Sequence, residues 1–240
     1  MSFSSDFARA YDSLNDGADY AQKAALIASV LEPRDGYVAG LDLGCGTGEL
    51  SLALCGRYDL TAVDLSEEML AVAASKAIER GAKICFLRQD IRFLNLGRQF
   101  DFGICLQDTL NYLSSYEDLE RCFSHVAAHL RPGGKFLFDL STKERFETVY
   151  GDLCFFLERK NLKCVWESAY HKRKRTCDFR FTLFLREPDG RYRCTTEEET
   201  QSYFDPERVC EIASRAGLSA PEILSEDPAE RVIFLCEKKG

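Results

Sequence analysis

Short apolar runs alternate with stretches of helical period along most of this chain. The runs lie at 38–43, 60–63, 84–87, 100–106 and 135–140, and apolar residues at helical spacing fall between them near 48–56, 67–80 and 116–130. Strands that alternate with helices in this way predict an α/β fold, a doubly wound and mostly parallel sheet with crossover helices on both faces. Ahead of it the chain up to Leu31 reads as helix, on Ala21, Ala24, Ala25, Ala28 and Leu31, and Pro33-Arg-Asp-Gly36 ends it. Arg131-Pro-Gly-Gly134 reads as a turn that launches the fifth strand.

The pattern changes at Asp152. From there to about Phe204 no helical period is evident, and Cys177, Phe179, Phe181, Leu183 and Leu185 alternate with Asp178, Arg180, Thr182 and Arg186. A period of two marks a half-buried strand of an antiparallel sheet, which Pro188-Asp-Gly190 turns into a further strand over 192–200. Residues 153–158 and 163–170 read as two more strands. Helix–strand alternation returns with Asp205-Pro206, an N-cap and first-turn pair, followed by a helix ending at Gly217 and a last strand over 231–236. The chain therefore divides into an α/β domain, residues 1–151 and 205–240, and an antiparallel β insertion after strand five, residues 152–204.

Composition narrows the classes. With 45% hydrophobic and 29% charged residues over 240 positions, this is the balance of a globular protein. A net charge of −8 gives little attraction to phosphate backbones or anionic membranes, so no clear nucleic-acid partner emerges. The charge is uneven: 152–204 carries eleven basic and nine acidic residues, hence +2 there and −10 elsewhere, with His171-Lys-Arg-Lys-Arg175 as its focus. That run reads as a solvated hairpin turn, the alternative being a contact for a phosphorylated or nucleotide-linked substrate or for RNA. No apolar run approaches the ~18 residues that span a bilayer, and the first six residues lack the features of a signal peptide, which points to a cytoplasmic protein without membrane contact. The eleven cysteines are odd in number, hold no C-x-x-C and often sit in apolar strands, so they read as reduced, small core residues. His125 and His129 are four apart on a predicted helix without an H-E-x-x-H pattern, and no metal is expected.

The chemistry concentrates where the first strand ends, in Leu41-Asp-Leu-Gly-Cys-Gly-Thr-Gly-Glu49. Glycines at 44, 46 and 48 remove side chains where strand turns into helix, so a ligand can touch backbone, and the helix N-terminus offers N–H groups to an anionic part of it. Twenty residues past Gly44 the second strand ends in Asp64, placed to accept from ribose hydroxyls. An adenosine-containing ligand follows. The G-x-G-x-G spacing, with Glu49 where a third fingerprint glycine would fall, disfavours a dinucleotide.

Asp42, this loop and Asp64 together closely resemble motif I of the class I S-adenosylmethionine-dependent methyltransferases. The resemblance extends to Ala62-Val-Asp-Leu-Ser-Glu-Glu-Met-Leu70, Gln89-Asp-Ile91, Phe100-Asp101 and Leu130-Arg-Pro-Gly-Gly134, over about residues 7–140 and the final helix and strand. It implies a Rossmann-like seven-stranded sheet and S-adenosyl-L-methionine as cofactor. By the same resemblance Gly44, Cys45, Gly46 and their backbone cradle the methionine end, with Asp42 close by. Asp64 holds the ribose diol, Leu65 and Met69 border the adenine, Asp90 accepts from its amino group, Ile91 packs on the ring and Leu106 lies beside the sulfonium. The plainer readings are helix caps for Asp42 and Asp64, core packing for Met69 and a cap of the turn at 91–95 for Asp90. Asp139 either faces the site or caps.

The segment after strand four, Gln107-Asp-Thr-Leu-Asn-Tyr112, has neither the N/D-P-P-Y/F of base amino-methylating enzymes nor the Pro-Cys of cytosine-C5 enzymes. Residues 6–20 look like the N-terminal helix of the small-molecule branch, which includes amino-sugar N-methyltransferases; there Tyr11 and Tyr20 would close over the cofactor. Tyr11 and Tyr112 are the candidate catalytic residues, phenols that can orient an amine or hydroxyl, with plain packing as the alternative. In that branch such insertions cap the pocket or pair two copies into a homodimer, and Trp166 and Tyr170 share a strand face that is either core or pocket wall. The expected activity is methyl transfer to N or O of a small-molecule acceptor. A cofactor-binding subunit of this fold without turnover, and an RNA-directed enzyme, are the alternatives.

Overall fold

The computed structural model describes residues 3–15, 19–31 and 38–240. Its elements run α1 (Ser5–Leu14), α2 (Tyr20–Val30), β1 (Val38–Leu43), α3 (Glu49–Leu54), β2 (Tyr58–Asp64), α4 (Glu67–Glu79), β3 (Ile84–Arg88), β4 (Phe100–Cys105), α5 (Tyr116–His129) and β5 (Leu130–Ser141). A π-helical segment, Arg145–Tyr150, leads into β6 (Cys154–Arg159), β7 (Leu162–His171), β8 (Thr176–Arg186) and β9 (Tyr192–Ser202), before α6 (Pro206–Arg215), β10 (Glu222–Glu226) and β11 (Arg231–Glu237). Short polar side chains start the helices: Ser66, Ser115 and Asp205 accept from Met69, Asp118 and Glu207 N–H at the heads of α4, α5 and α6.

Seven strands form one sheet in the order β10-β11-β5-β4-β1-β2-β3. The five strands from β5 to β3 are parallel neighbours, while β11 runs antiparallel to both β5 and β10. One face packs on α5 and α6 through Phe123, Phe136, Phe138, Phe234 and Ile212, and the other on α2 and α3 through Ile27, Leu54, Phe102 and Leu137. The second sheet, β6-β7-β8-β9, is an antiparallel meander inserted between β5 and α6. Its inward residues Cys164, Cys177, Phe179, Phe181 and Leu183 cluster with Phe7, Ala8 and Ala10 of α1, Met69 of α4, and Phe146 and Tyr150. Helix α1 is thus held between the two sheets. Asp6 bonds Arg193 of β9, Asp12 accepts from Thr47 Oγ1 at 2.5 Å, and Lys76 of α4 bonds Asp12 at 2.6 Å.

The architecture expected from the sequence is present, with local corrections. The N-terminal stretch is two helices, and α2 buries Ile27 while Ala21 and Ala25 face solvent; a helix this apolar all round gives its periodicity little power to choose a face. The stop signal at Pro33–Gly36 lies outside the described residues. Arg131–Gly134 lies inside β5 as a bulge: Phe100 pairs with Leu130 and Phe102 with Lys135, so β5 loops out residues while β4 advances by two. β10 and the π-helical segment had no expectation, because 222–226 is a solvent-exposed edge with little apolar pattern. Cys85, Cys154 and Cys194 are exposed rather than core residues.

Candidate active site

A pocket of about 290 Å³ opens at the carboxyl ends of β1, β2 and β4. There the strand order reverses, since β1 is flanked by β2 on one side and β4 on the other, and loops leaving the two neighbours diverge to form a crevice. The glycine loop lines it. Gly44, Gly46 and Gly48 have φ of 69°, 53° and 78°, a left-handed region that side chains resist. Space separates their roles: a Cβ on Gly44 would meet Thr109 Cγ2 at 2.2 Å, whereas one on Gly46 would meet no atom within 4 Å. Gly44 allows two loops to touch, and Gly46 leaves room. The N–H groups of Gly44 and Cys45 donate to Val63 O at 2.8 and 3.0 Å, and that of Gly46 to Asp64 Oδ2 at 2.8 Å. These three donors brace the loop itself; the helix N-terminus, from which free N–H groups were expected, begins only at Glu49.

The thirteen residues expected to bind cofactor or act in catalysis all border this one pocket: Tyr11, Tyr20, Asp42, Gly44, Cys45 and Gly46, then Asp64, Leu65, Met69, Asp90, Ile91, Leu106 and Tyr112; Asp139, Trp166 and Tyr170 do not. Asp64, at the end of β2, accepts from Gly46 N and Ser66 N, which leaves each oxygen a lone pair. Burial raises its carboxyl above the usual range, against the backbone bonds that lower it. Asp42 is 3% exposed and accepts from Ser51 Oγ at 2.5 Å; burial pushes it up to about 7, and the nearby Asp64 adds to that. Burial likewise raises the Cys45 thiol. Asp90 both borders the pocket and caps the turn at Ile91–Phe93, bonded by Arg92 N at 2.9 Å and by the Arg92 guanidinium at 2.6 Å, whose contact lowers its carboxyl. Met69 is both core and pocket wall. Tyr11 on α1 and Tyr20 on α2 also line the pocket, burial raising both phenols. Tyr112 donates to Glu199 Oε2 at 2.9 Å.

Beyond Tyr11 and Tyr112 a second cavity, of about 100 Å³, lies between α1 and the antiparallel sheet. Sequence reasoning missed its charged residues, Asp108, Arg145, Glu199 and Arg231, though it had noticed Asp139, which lies beside them. Asp139 on β5 neither caps a helix nor borders the large pocket. It is 1% exposed and accepts from Gln107 N at 2.9 Å, Asp108 N at 3.0 Å and Arg231 Nη1 at 3.0 Å. Gln107 and Asp108 have φ of 66° and 64°, each costing ~1–2 kcal/mol of backbone strain, which those two bonds offset. Arg231 also bonds Asp108 at 3.2 Å, and Arg145 lies 3.5 Å from Asp108. Glu199, 7% exposed on β9, is pushed up to about 7 by burial, its Tyr112 bond acting the other way. In the run Glu197-Glu198-Glu199 the first and third share the strand face that pairs with inward-facing Phe181 and Phe179.

The residues fit the cofactor that the loop implies: a buried carboxylate with unused lone pairs at Asp64, an opening at Gly46 where a side chain would project, and apolar walls at Leu65, Met69, Ile91 and Leu106. Fold and site together define an α/β protein built to hold an adenosine-type ligand at the switch point. Residues 41–134 match the family model described as a methyltransferase domain. The chain is 31% identical over 243 residues to YqeM of Bacillus subtilis (strain 168), a methyltransferase by name, covering 97% of this chain and 96% of the relative. It is 29% identical over 240 residues to dTDP-4-amino-2,3,4,6-tetradeoxy-D-glucose N,N-dimethyltransferase of Saccharopolyspora spinosa, covering 97% and 93%. The crystal structure of an S-adenosylmethionine-dependent methyltransferase from Clostridium acetobutylicum ATCC 824 superposes with a TM-score of 0.85 at 29% identity, covering 98% of both chains. The chain belongs to the S-adenosylmethionine-dependent methyltransferases.

Proposed function

We propose that this methyltransferase acts on N or O of a small-molecule acceptor, with the antiparallel sheet as its cap. The observation that carries the reading is the shared wall: Tyr11, Gln107 and Tyr112 border both the large pocket and the small cavity under β7–β9, so the acceptor's approach is enclosed by the chain itself. The sugar N,N-dimethyltransferase named above, similar over nearly its whole length, supports the same class. No helix among the described residues is long and apolar enough to cross a membrane.

In this reading Gly44, Cys45 and Gly46 with Asp42 would hold the methionine end of S-adenosylmethionine, Asp64 the ribose diol, and Leu65, Met69, Asp90 and Ile91 the adenine. Leu106 and Tyr20 would close the cavity. When bound, the cofactor supplies a methyl group on a positive sulfur, which the acceptor's lone pair takes while the sulfur–methyl bonding pair returns to sulfur. The protein's work is then alignment and exclusion of water, a task for Tyr11 and Tyr112 at the junction of the cavities. The test is a labelled-methyl screen over amines, phenols, carboxylates and nucleotide sugars. Label on at least one small acceptor is expected, with Tyr11→Phe slowed about tenfold, or 1.4 kcal/mol, at an unchanged melting temperature. Label only on RNA or protein, or cofactor binding without any transfer, would overturn the reading.

A further inference from the structure

The small cavity is unusual in what its walls leave unsatisfied. Among the described residues, the buried side-chain atoms without a hydrogen-bond partner are Arg145 Nε and Nη1, Arg231 Nε, Trp166 Nε1 and Gln201 Oε1. All four residues line this cavity. Leaving a buried polar group unpaired costs about 1–3 kcal/mol, more when it is charged, so a cluster of five in one place marks a surface shaped for a polar occupant. The balance is lopsided: four N–H donors against one acceptor. The occupant must be rich in acceptors.

Charge points the same way. Arg145 is in contact with one carboxylate, Asp108 at 3.5 Å, and Asp108 is also bonded by Arg231 at 3.2 Å. Arg231 has Asp139 as well, at 3.0 Å; among the described residues the Arg145 guanidinium has its share of Asp108 and the face of Tyr150, 4.9 Å from its ring centre. A guanidinium in that state binds a planar or tetrahedral oxyanion well, by paired N–H bonds. Glu199 of β9 also lines the cavity, held by Gln201 and by Tyr112, which borders the large pocket as well.

We propose that this cavity is the acceptor site and that it selects a small amine bearing an oxyanion, a carboxylate or a phosphate, with the oxyanion against Arg145 and the Trp166 N–H and the amine toward Glu199. The proposal rests on the reading of the chain as a small-molecule methyltransferase. An amine arriving as an ammonium would lose its N–H proton to a Glu199 oxygen, forming the carboxyl O–H and freeing the nitrogen lone pair. Charged groups facing Glu199 are Asp108, Arg145 and Arg231, with Tyr11 and Tyr112 as phenols and Glu197 on its own strand.

Trp166 is the chain's one tryptophan and reports on the cavity directly. The experiment titrates its fluorescence, in protein saturated with S-adenosylhomocysteine, with acetate, inorganic phosphate, β-alanine, phosphoethanolamine and the neutral alcohol propanol. A saturable change with the oxyanions and none with propanol is expected. β-Alanine or phosphoethanolamine should saturate at a concentration at least fivefold below acetate or phosphate, and the lower of the two separates carboxylate from phosphate. Arg145→Met should raise the half-saturation at least tenfold, Arg145→Lys less, both with S-adenosylhomocysteine affinity within twofold of wild type. Glu199→Gln should remove only the extra gain from the amine. An adventitious ion only, seen as a signal that Arg145→Met leaves unchanged, overturns the proposal. So does the lack of any saturable oxyanion signal in protein that binds S-adenosylhomocysteine. If neutral amines are nonetheless methylated, the small-molecule reading stands and this inference alone falls; label passing only to a macromolecule overturns that reading whatever the titration shows.

Discussion

The two cavities that meet at Tyr11 and Tyr112 are built in opposite ways. The large one draws on short consecutive stretches at the ends of neighbouring parallel strands: 42–50, 64–69, 89–92 and 106–114 supply most of its wall. The small one gathers side chains from α1, the loop after β4, the π-helical segment, three antiparallel strands and β11. Both contain a carboxylate pushed up to about 7 chiefly by burial, Asp42 in one and Glu199 in the other. The first is braced by backbone N–H groups within the glycine loop, the second by side-chain pairs across the fold. The lesson is that a cradle made by a loop tolerates change elsewhere, whereas a cavity made by long-range ion pairs depends on each of them.

The strongest way to break that contrast is to cut the ion pairs. Arg231→Met leaves Asp139, 1% exposed, without its guanidinium, and removing one partner of a buried pair costs about 3–5 kcal/mol. Urea unfolding should show a loss of that size, partly recovered when Asp139→Asn is added. A loss below about 1 kcal/mol would mean that the network contributes little, and that the small cavity is no more interdependent than the large one.

Glu199 tests the same cavity through pH. Its carboxyl titrates near 7 in the folded chain against about 4.5 in the unfolded one, so the folded state holds the proton more tightly. The burden on stability is absent below pH 4.5, grows between the two values and is complete above 7. Glu199→Gln should therefore be more stable than wild type by about 3 kcal/mol at pH 8, with the advantage shrinking toward zero near pH 4.5. Tyr112 can still donate to the amide oxygen, so its bond survives the change. A pH-independent difference between the two proteins would show that Glu199 is already ionised at neutral pH.

These outcomes bear on what the sequence could reveal. The glycine loop, Asp64 and Leu106 were legible because each stands at the carboxyl end of a parallel strand, β1, β2 and β4, and the alternation of strands and helices puts those ends on one edge of the sheet. The alternation in β8 was legible from its period of two. Arg145, Arg231, Asp108 and Glu199 were not: the registers of β9 against β8 and of β11 against β5 place Glu199 and Arg231, while Arg145 and Asp108 come from the π-helical segment and the loop after β4. Asp139 was noticed, but its partner is 92 residues away and no local rule connects them. Glu199 sits in a run of three glutamates that reads as a solvated strand, and the register against β8 turns the first and third of them toward Phe181 and Phe179, with Glu199 the buried one.

Within the large pocket, Gly44 and Gly46 should part company. Gly44→Ala drives a Cβ into Thr109 at 2.2 Å at a positive φ, and should cost about 2–3 kcal/mol of folding stability from strain and overpacking. Gly46→Ala carries only the backbone strain, about 1–2 kcal/mol, since its Cβ meets nothing within 4 Å. It should instead lower S-adenosylhomocysteine affinity at least tenfold by calorimetry, because that open space is where the cofactor would run. Wild-type affinity in Gly46→Ala would remove the loop from the binding site.

The smallest effect is expected where the charge is densest. In the hairpin between β7 and β8, Lys172, Arg173 and Lys174 are all exposed, and Lys172 Nζ lies 4.0 Å from Glu147 Oε1. What fixes the turn lies on either side of them. His171 Nε2 pairs with Asp178 at 2.8 Å, Asp178 accepts from Thr200 Oγ1 at 2.7 Å, and Arg175, at φ 57°, accepts at its carbonyl from Tyr203 N at 2.8 Å while its guanidinium lies over the Tyr203 ring. Exchanging residues 172–174 for Gly-Ser-Gly keeps all of these and removes three solvated cations, so stability should change by less than about 0.5 kcal/mol and cofactor affinity by less than twofold. The turn also stands apart from both cavities, whose walls include none of its three cations. Turnover of an identified acceptor should follow suit. A fall of tenfold or more with cofactor binding intact would mean that the acceptor reaches out along the sheet to this turn, and would make the cap, rather than the enclosed cavity alone, the determinant of which molecule is methylated.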